Sequence, residues 1–332
     1  MAPNGRTVRL VAGGDVMLGR LVGRAIARHG PKYPLGALAG LLRGADLALV
    51  NLECAITAST ARWPGAPKAF YFGAPPAAID ALTDAGIGLV SLANNHVLDF
   101  GVAGLRDTRR ALHEHGIQAA GAGNNIAEAA APVIVERGGI RFGMVALCDH
   151  QADFSAQRAR PGMAYMDLTD ECAALSVFET RLAALREKGA DWPILSLHWG
   201  PNMVLRPSPR FQRLAHGAIA MGWKILFGHS AHVYQGVELY RGCPILYAAG
   251  DLVDDYAVDP ELRNDRQLLF DMELSRTALR RIRLHPVWID ACQARPAAPD
   301  MAKAIIDRMA LLCGELNTRI ERSDGESWIS AE

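Results

Sequence analysis

The sequence predicts an α/β protein with two mixed β-sheets stacked between helices, in four layers. Three observations predict it: short apolar runs alternate with helical patterns along the 332 residues, several runs are apolar throughout, and Gly-centred turns join others into hairpins. Strands alternating with helices are typical of sheets that are covered on both faces. The hairpins make the sheets mixed, and the strand count fits two stacked sheets better than one open sheet.

In the first half of the chain, each strand is predicted from a short apolar run, and each helix is predicted from apolar residues that recur at helical spacing. The predicted strands are residues 7–12, 46–50 and 87–92, with a hairpin of 133–136 and 140–147 around Gly138-Gly139. The predicted helices are residues 35–42, 77–85 and 101–115. Gly86 and Gly116 directly follow two of these helices, where glycine commonly ends a helix.

The second half continues in the same way. The predicted strands are residues 194–197, 224–227, 237–240 and 245–248, with a hairpin of 268–273 and 279–289. Helices are predicted at 211–221 and at 299–316, and the polar end is predicted to be frayed. We assign residues 1–296 to one domain, and residues 297–332 to a C-terminal helix and tail.

Composition excludes several classes of partner. The 35 Lys and Arg residues balance 35 Asp and Glu residues, so neither a nucleic acid nor an anionic membrane is expected to bind. We find neither a signal peptide nor a run of about 18 apolar residues, and six cysteines form no CxxC motif. A cytoplasmic protein with free thiols is therefore predicted, while its oligomeric state stays open.

Polar residues that bind metals follow five of the predicted strands. They are Asp15, Glu53, Asn95, His198 and the pair His229 and His232. Ligands of α/β sheets bind beyond the carboxyl ends of the strands, so we expect these side chains to converge. A mixed nitrogen and oxygen set suits Mn²⁺, Fe²⁺, Zn²⁺ or Ni²⁺ better than Mg²⁺ or Ca²⁺. One or two divalent ions, with Mn, Fe or Zn favoured, are predicted as cofactors.

Six motifs occur in a family's order. They are Gly14-Asp15-Val16-Met17-Leu18-Gly19-Arg20, Asn51-Leu52-Glu53, Ala93-Asn94-Asn95-His96 with Asp99 and Gly101, His198-Trp199-Gly200, Gly228-His229-Ser230-Ala231-His232, and Tyr247 with Gly250-Asp251. Together they resemble the CapA family of bacterial capsule-synthesis or poly-γ-glutamate-biosynthesis proteins, which has the calcineurin-like metallophosphoesterase fold.

The resemblance implies a role for each matching residue. Asp15 and His232 would hold one metal ion; Asn95, His198 and His229 would hold a second; Glu53 would bridge them. His96 would be the proton donor. The chain departs from the phosphoesterase pattern twice, because Met17 replaces a histidine and Glu53 replaces an aspartate. Both departures argue against ordinary phosphatase activity.

Other residues are predicted from their chemistry. Asp99 would orient His96. Arg20 and Lys68 would bind an anionic group of the substrate, such as a carboxylate. Tyr71 and Asp251 are also predicted to bind substrate.

We therefore expect a metal-dependent enzyme acting on a small peptide or a γ-glutamyl-type substrate. The alternatives are a peptide epimerase of a ribosomal peptide pathway, a phosphoesterase, and a non-catalytic capsule biosynthesis factor. An epimerase needs a second proton carrier, for which His150 and His285 are candidates.

Overall fold

The computed structural model describes residues 7–331, which form eight α-helices and twenty β-strands. The helices are α1 (Arg20–His29), α2 (Ala39–Arg43), α3 (Ile79–Asp84), α4 (Gly101–Glu114), α5 (Ile126–Ala129), α6 (Glu171–Glu187), α7 (Pro209–Met221) and α8 (Pro299–Gly314). The strands are β1 (Val8–Val16), β2 (Leu47–Leu52), β3 (Ala55–Ile56), β4 (Gly73–Ala74), β5 (Ile87–Ser91), β6 (Gln118–Ala120), β7 (Ala122–Gly123), β8 (Val133–Arg137), β9 (Ile140–Cys148), β10 (Gly162–Met163), β11 (Trp192–His198), β12 (Ile225–His229), β13 (Val237–Tyr240), β14 (Cys243–Leu246), β15 (Asp251–Val253), β16 (Arg266–Leu274), β17 (Leu279–Asp290), β18 (Gln293–Pro296), β19 (Glu321–Ser323) and β20 (Glu326–Ser330).

Two large mixed sheets contain most of these strands. The first has ten strands, in the order β19-β20-β17-β16-β1-β2-β5-β6, with β15 beside β1 and β18 beside β17. The second has six, in the order β13-β14-β12-β11-β9-β8. In the first sheet β1, β2, β5 and β6 are parallel neighbours; in the second, β9, β11, β12 and β14 are. The carboxyl ends of parallel strands therefore lie along one edge of each sheet.

The two sheets pack face to face, and helices cover their outer faces. Phe142, Ile194 and Phe227 of the second sheet belong to the same buried core as the apolar residues of the first. Val145 and Leu226, on the opposite face of the second sheet, pack with α6 and α7. Helices α3 and α4 contact the first sheet. The predicted four-layer α/β arrangement is confirmed.

Most predicted elements are present, with ends that differ by a few residues. The predicted helix at 35–42 is wrong over its first half, since only Ala39–Arg43 is helical. Leu38 N–H bonds to Leu35 O and Ala39 N–H to Gly36 O, which are tight turns, and glycines at 36 and 40 weaken helix formation. Helices α1, α5 and α6 were not predicted.

The frayed C-terminal end is also a wrong prediction. Strands β19 and β20 form a hairpin, and β20 pairs with β17 in the first sheet. The turn is Asp324-Gly325, both with positive φ, a dipeptide that favours a two-residue hairpin. Ile329 is fully buried and secures the hairpin. The domain boundary at residue 296 stays a prediction, although α8 packs on β13, β16 and β17.

No helix within residues 7–331 combines the length and the apolar composition that crossing a membrane requires.

A partly buried ion pair joins β1 to β16 and makes stability depend on pH. Burial alone would raise the pKa of Asp271, but hydrogen bonds from His285 and Arg9 outweigh burial and lower its pKa to about 2. Arg9 Nη2 lies 2.7 Å from Asp271 Oδ2. A lowered pKa stabilises the folded chain at neutral pH, by about 2 kcal/mol here before the partial exposure of Arg9 is considered.

We expect Asp271→Asn to lower the free energy of unfolding by about 1–2 kcal/mol at pH 6. The difference from wild type begins to shrink as pH falls below about 4 and is about half at pH 3, because the carboxylate protonates in the unfolded chain first. Urea unfolding at several pH values measures this. The exposed Asp307→Asn is the control, and a difference that grows on acidification would contradict the prediction.

Candidate metal centre

Strand pairing in the first sheet places three acidic side chains side by side. Asp15, at the end of β1, is in register with Asn51 of β2 on one side and with Asp251 of β15 on the other. The Glu53 N–H donates to Val16 O at 2.9 Å, which continues the β1–β2 pairing past the strand end. All three carboxylates are buried.

The second sheet supplies three histidines to the same place. His198 and His229 end the neighbouring parallel strands β11 and β12 in register, and His232 lies in the loop that follows. The Nδ1 atoms of His198 and His229 lie 2.9 Å apart, and His229 Nε2 lies 2.9 Å from Ser196 Oγ. The His232 backbone has a φ of +58°, unusual for a residue other than glycine.

The side chains of the two sheets meet in two overlapping groups. One contains Asp15, His198 and His229; the other contains Asp15, Glu53, His232 and Asp251. Within each group the potential ligand atoms lie within 4.8 Å of one another. The cross-sheet distances include 3.7 Å from His229 Nδ1 to Asp15 Oδ1 and 3.8 Å from His198 Nε2 to Glu53 Oε1. The predicted convergence of these residues is therefore present.

Burial shifts the pKa values of Asp15, Glu53, Asp251, His198 and His229. It raises the pKa of Asp15 to about 6. Burial, together with the charge of Asp15, raises the pKa of Glu53 and that of Asp251 well above their usual range. Burial also lowers the pKa of His229 to about 3 and lowers the pKa of His198 well below its ordinary value. The imidazoles of His198 and His229 are consequently neutral, which is the form that binds metals.

The donor set fits a divalent cation. Within residues 7–331, the ion pairs of Asp15, Glu53 and Asp251 involve only histidines, with no lysine or arginine. Buried carboxylates without a cationic partner are unfavourable in the ionised form, and a bound metal ion would offset this cost. Asn95 Oδ1 is buried without a hydrogen-bond partner, as expected for a ligand atom.

Hydrogen bonds orient the predicted proton carrier. His96 Nδ1 lies 2.6 Å from Asp99 Oδ2, and the Phe72 ring stacks on the imidazole at 3.8 Å between centroids. Asp99 also accepts from the Phe72 N–H and forms an ion pair with Lys68. Burial lowers the pKa of His96 to about 4, although Asp99 opposes this shift.

A cavity of about 600 Å³ opens beside the cluster. Asn95, His96 and His232 line its inner end, so a bound molecule would touch both the metal centre and the proton carrier. Arg20 also lines it, with its guanidinium 5.3 Å from the Phe70 ring centroid. Arg20 Nε lies 3.4 Å from Asp255 Oδ2. The Arg20 guanidinium is the partly exposed cation of the cavity wall.

The four residues predicted to bind substrate have different positions. Arg20 and Lys68 line the cavity. The Lys68 ammonium is paired with the Asp99 carboxylate and donates to the backbone carbonyl of Asn95, so it is not free for a substrate anion. Tyr71 lies outside the lining, where its hydroxyl accepts from the Lys68 N–H. Asp251 is fully buried and does not line the cavity. A direct substrate contact is therefore disfavoured for Lys68, Tyr71 and Asp251.

The two candidates for a second proton carrier, His150 and His285, lie in different parts of the structure. The His150 ring lies 5.5 Å from the His198 ring and contacts Asp149. His285 instead pairs with Asp271, in the ion pair that joins β1 to β16. His150 is thus the one adjacent to the metal centre.

Sequence reasoning missed several residues of the cavity wall. Gln151, Asn202, Met203 and Asn264 line it from loops. No motif or periodicity marks these positions, since loop residues approach the cavity only through the fold. Asn51 was noted only within a motif, yet its Nδ2 donates to Asp15 Oδ1 at 2.8 Å.

The glycine before Asp15 is required by the close approach of β1 and β15. A Cβ atom at Gly14 would lie 1.8 Å from Gly250 O. We expect Gly14→Ala to lower the free energy of unfolding by about 3 kcal/mol or more, since backbone atoms must separate. At Gly40 in α2 a Cβ meets nothing within 4 Å, so Gly40→Ala should be neutral or slightly stabilising. Urea unfolding compares them, and equal stabilities would contradict the prediction.

A family model and the curated relatives agree on one family. The model described as "Bacterial capsule synthesis protein PGA_cap" matches residues 9–256. A "Probable polyglutamine synthesis accessory protein" of Mycobacterium tuberculosis is 32% identical over 300 residues, covering 77% of each chain. The "PGA biosynthesis protein CapA" of Bacillus subtilis is 24% identical, covering 87% of this chain and 74% of its own. Among solved structures, the Thermus thermophilus sulfate thiohydrolase SoxB has a TM-score of 0.48 at 11% identity, covering 96% of this chain and 62% of its own.

Proposed function

Because this chain belongs to the bacterial capsule synthesis protein (PGA_cap) family, we propose that it is a metal-dependent enzyme acting on a peptide or γ-glutamyl-type substrate. The observation that carries the proposal is the convergence of buried carboxylates and neutral imidazoles from both sheets at the inner end of the cavity. Relatives named for polyglutamine synthesis and PGA biosynthesis support a substrate built from glutamyl units.

Asp15, Glu53 and His232 would hold one divalent ion, and Asn95, His198 and His229 a second. A bound divalent ion would supply Lewis acidity and lower the pKa of a bound water. Arg20 would pair with a carboxylate of the substrate, a charge-assisted contact that fixes its orientation. The aromatic rings of Phe70 and Phe72 would pack against the aliphatic part of the chain.

His96 would move the proton of the reaction. Its Nδ1 faces Asp99, so the neutral ring donates the Nδ1 hydrogen to that carboxylate and leaves Nε2 as a proton acceptor. In hydrolysis, Nε2 would take a proton from the attacking water, Asp99 would stabilise the imidazolium that forms, and His96 would give that proton to the leaving group. Lys68 would hold Asp99 in place.

Purified protein, prepared without chelators, tests the proposal. It is supplied with Mn²⁺, Fe²⁺ or Zn²⁺ and incubated with synthetic oligo-γ-glutamate and with α-linked peptides, and products are identified by mass spectrometry. We expect metal-dependent cleavage or transfer of the γ-glutamyl substrate, abolished by chelation. A protein that binds no divalent metal would contradict the proposal.

Two further assays separate the alternatives. Incorporation of solvent deuterium into a recovered peptide would identify an epimerase, for which His150 beside His198 offers a second proton carrier. Hydrolysis of an aryl phosphate without peptide turnover would identify a phosphoesterase. Bound metal with neither activity would favour a non-catalytic biosynthesis factor.

A further inference from the structure

Asp251 is placed at the metal centre by the pairing of β15 with β1. It is in register with Asp15, and the Asp15 N–H donates to Gly250 O at 2.9 Å. Asp251 Oδ1 lies 3.0 Å from His232 Nδ1, while Oδ2 is buried without an N–H donor, and the side chain also contacts the buried carboxyl of Asp254. Two buried acidic groups in contact, one of them in a group of potential ligands, require an explanation.

We propose that Asp251 is itself a metal ligand. The ion held by Asp15, Glu53 and His232 would then have a fourth protein ligand, giving three carboxylates and one imidazole. This inference rests on the proposed metal centre and adds a residue and a metal preference to it.

A purely structural role does not account for Asp251. Structural buried carboxylates are normally stabilised by backbone N–H groups or by Lys and Arg. The side-chain partners of Asp251 are His232 and the buried carboxyl of Asp254, neither of which is a lysine or an arginine. Asp251 is fully buried and does not line the cavity, which argues against contact with substrate.

The consequence is that the two metal positions differ in donor chemistry. Asp15, Glu53 and Asp251 make the first position rich in oxygen, whereas His198 and His229 make the second rich in nitrogen. Carboxylate oxygens favour Mn²⁺, and imidazoles suit Zn²⁺ or Fe²⁺. Asp251 would therefore direct Mn²⁺ to the first position.

The test compares Asp251→Asn with wild-type protein and with Asp265→Asn. The control, Asp265→Asn, makes the same change at a buried aspartate that accepts hydrogen bonds from Arg263 and Trp288 and belongs to neither group of potential metal ligands. Chelator-treated proteins are titrated with Mn²⁺ by calorimetry, and metal content is measured by mass spectrometry. We expect Asp251→Asn to bind one Mn²⁺ ion fewer than wild type, while Asp265→Asn binds as wild type does.

A crystal structure of the wild-type protein with Mn²⁺, located by anomalous scattering, gives a second measurement that does not depend on folding of the variant. An Asp251 oxygen within about 2.5 Å of an ion supports the inference. Unchanged Mn²⁺ binding by folded Asp251→Asn, or an ion coordinated without Asp251, overturns it. Wild-type protein that binds no divalent metal would instead overturn the proposed function.

Discussion

Glu53→Gln is expected to abolish the increase in thermal stability that divalent metal gives to the wild-type protein, and to make the metal-free protein more stable. Glutamine keeps an oxygen for the Tyr256 hydroxyl, which lies 3.3 Å from Glu53 Oε2. It removes a carboxyl group whose ionisation is disfavoured by burial and by repulsion from Asp15 and Asp251, so folding no longer bears that cost. The same change removes the proposed ligand, whose oxygens lie 3.8 Å from His198 Nε2 and 3.9 Å from His232 Nδ1.

The two effects have opposite signs, which makes the prediction specific. Metal affinity should fall at least about 100-fold, because loss of a ligand exceeds the 10–100-fold cost of disturbing a residue that only orients one. The melting temperature of chelator-treated protein should rise by a few degrees, about the shift that 1 kcal/mol produces in a chain of this size. Scanning fluorimetry with and without Mn²⁺ or Zn²⁺ measures both.

Glu315→Gln is the matched control for Glu53→Gln. Glu315 pairs with Arg206 on the surface, and such pairs contribute little to stability. This variant should bind metal and melt as wild type does. If Glu53→Gln kept wild-type metal affinity, Glu53 would not be a ligand.

His96→Gln is expected to lower kcat by about 10²–10⁴-fold while metal content stays unchanged. The imidazole lines the cavity and is buttressed by Asp99 and Phe72, but it lies outside both groups of potential ligands. Glutamine is close in size but does not exchange protons near neutral pH. The assay uses whichever glutamyl substrate is turned over, with metal content measured on the same sample.

Two variants sharpen this experiment. Asp99→Asn should also lower kcat, since the asparagine cannot stabilise an imidazolium. His113→Gln, on the exposed face of α4, should leave both kcat and metal content unchanged. A His96→Gln enzyme that retains most of its kcat would show that another group carries the proton.

The sequence predicts the metal centre because its residues follow strand ends. Asp15, His198 and His229 each end an apolar run, and parallel strands bring such ends to one edge. Asp324-Gly325 offered an equally direct hairpin signal that the prediction did not use.

Other features could not be predicted from local sequence. Helix α6 exposes Cys172 and Ala173 beside its buried Phe178, so its apolar pattern is not confined to one face. The pairing of Lys68 with Asp99, and of Asp251 with His232, depends on long-range packing that no spacing encodes. Residue types alone therefore suggested substrate contacts for Lys68 and Asp251.

The metal centre draws on both sheets, with Asp15 and Glu53 on one and His198 and His229 on the other. An ion held by all of them would cross-link the two layers, in addition to the hydrogen bond that the Ser230 N–H donates to Asp15 Oδ2 at 3.2 Å. Local opening of either sheet would then require release of the ion. Amide hydrogens at the ends of β1 and β12 would exchange as one cooperative unit in the loaded protein and independently after its removal.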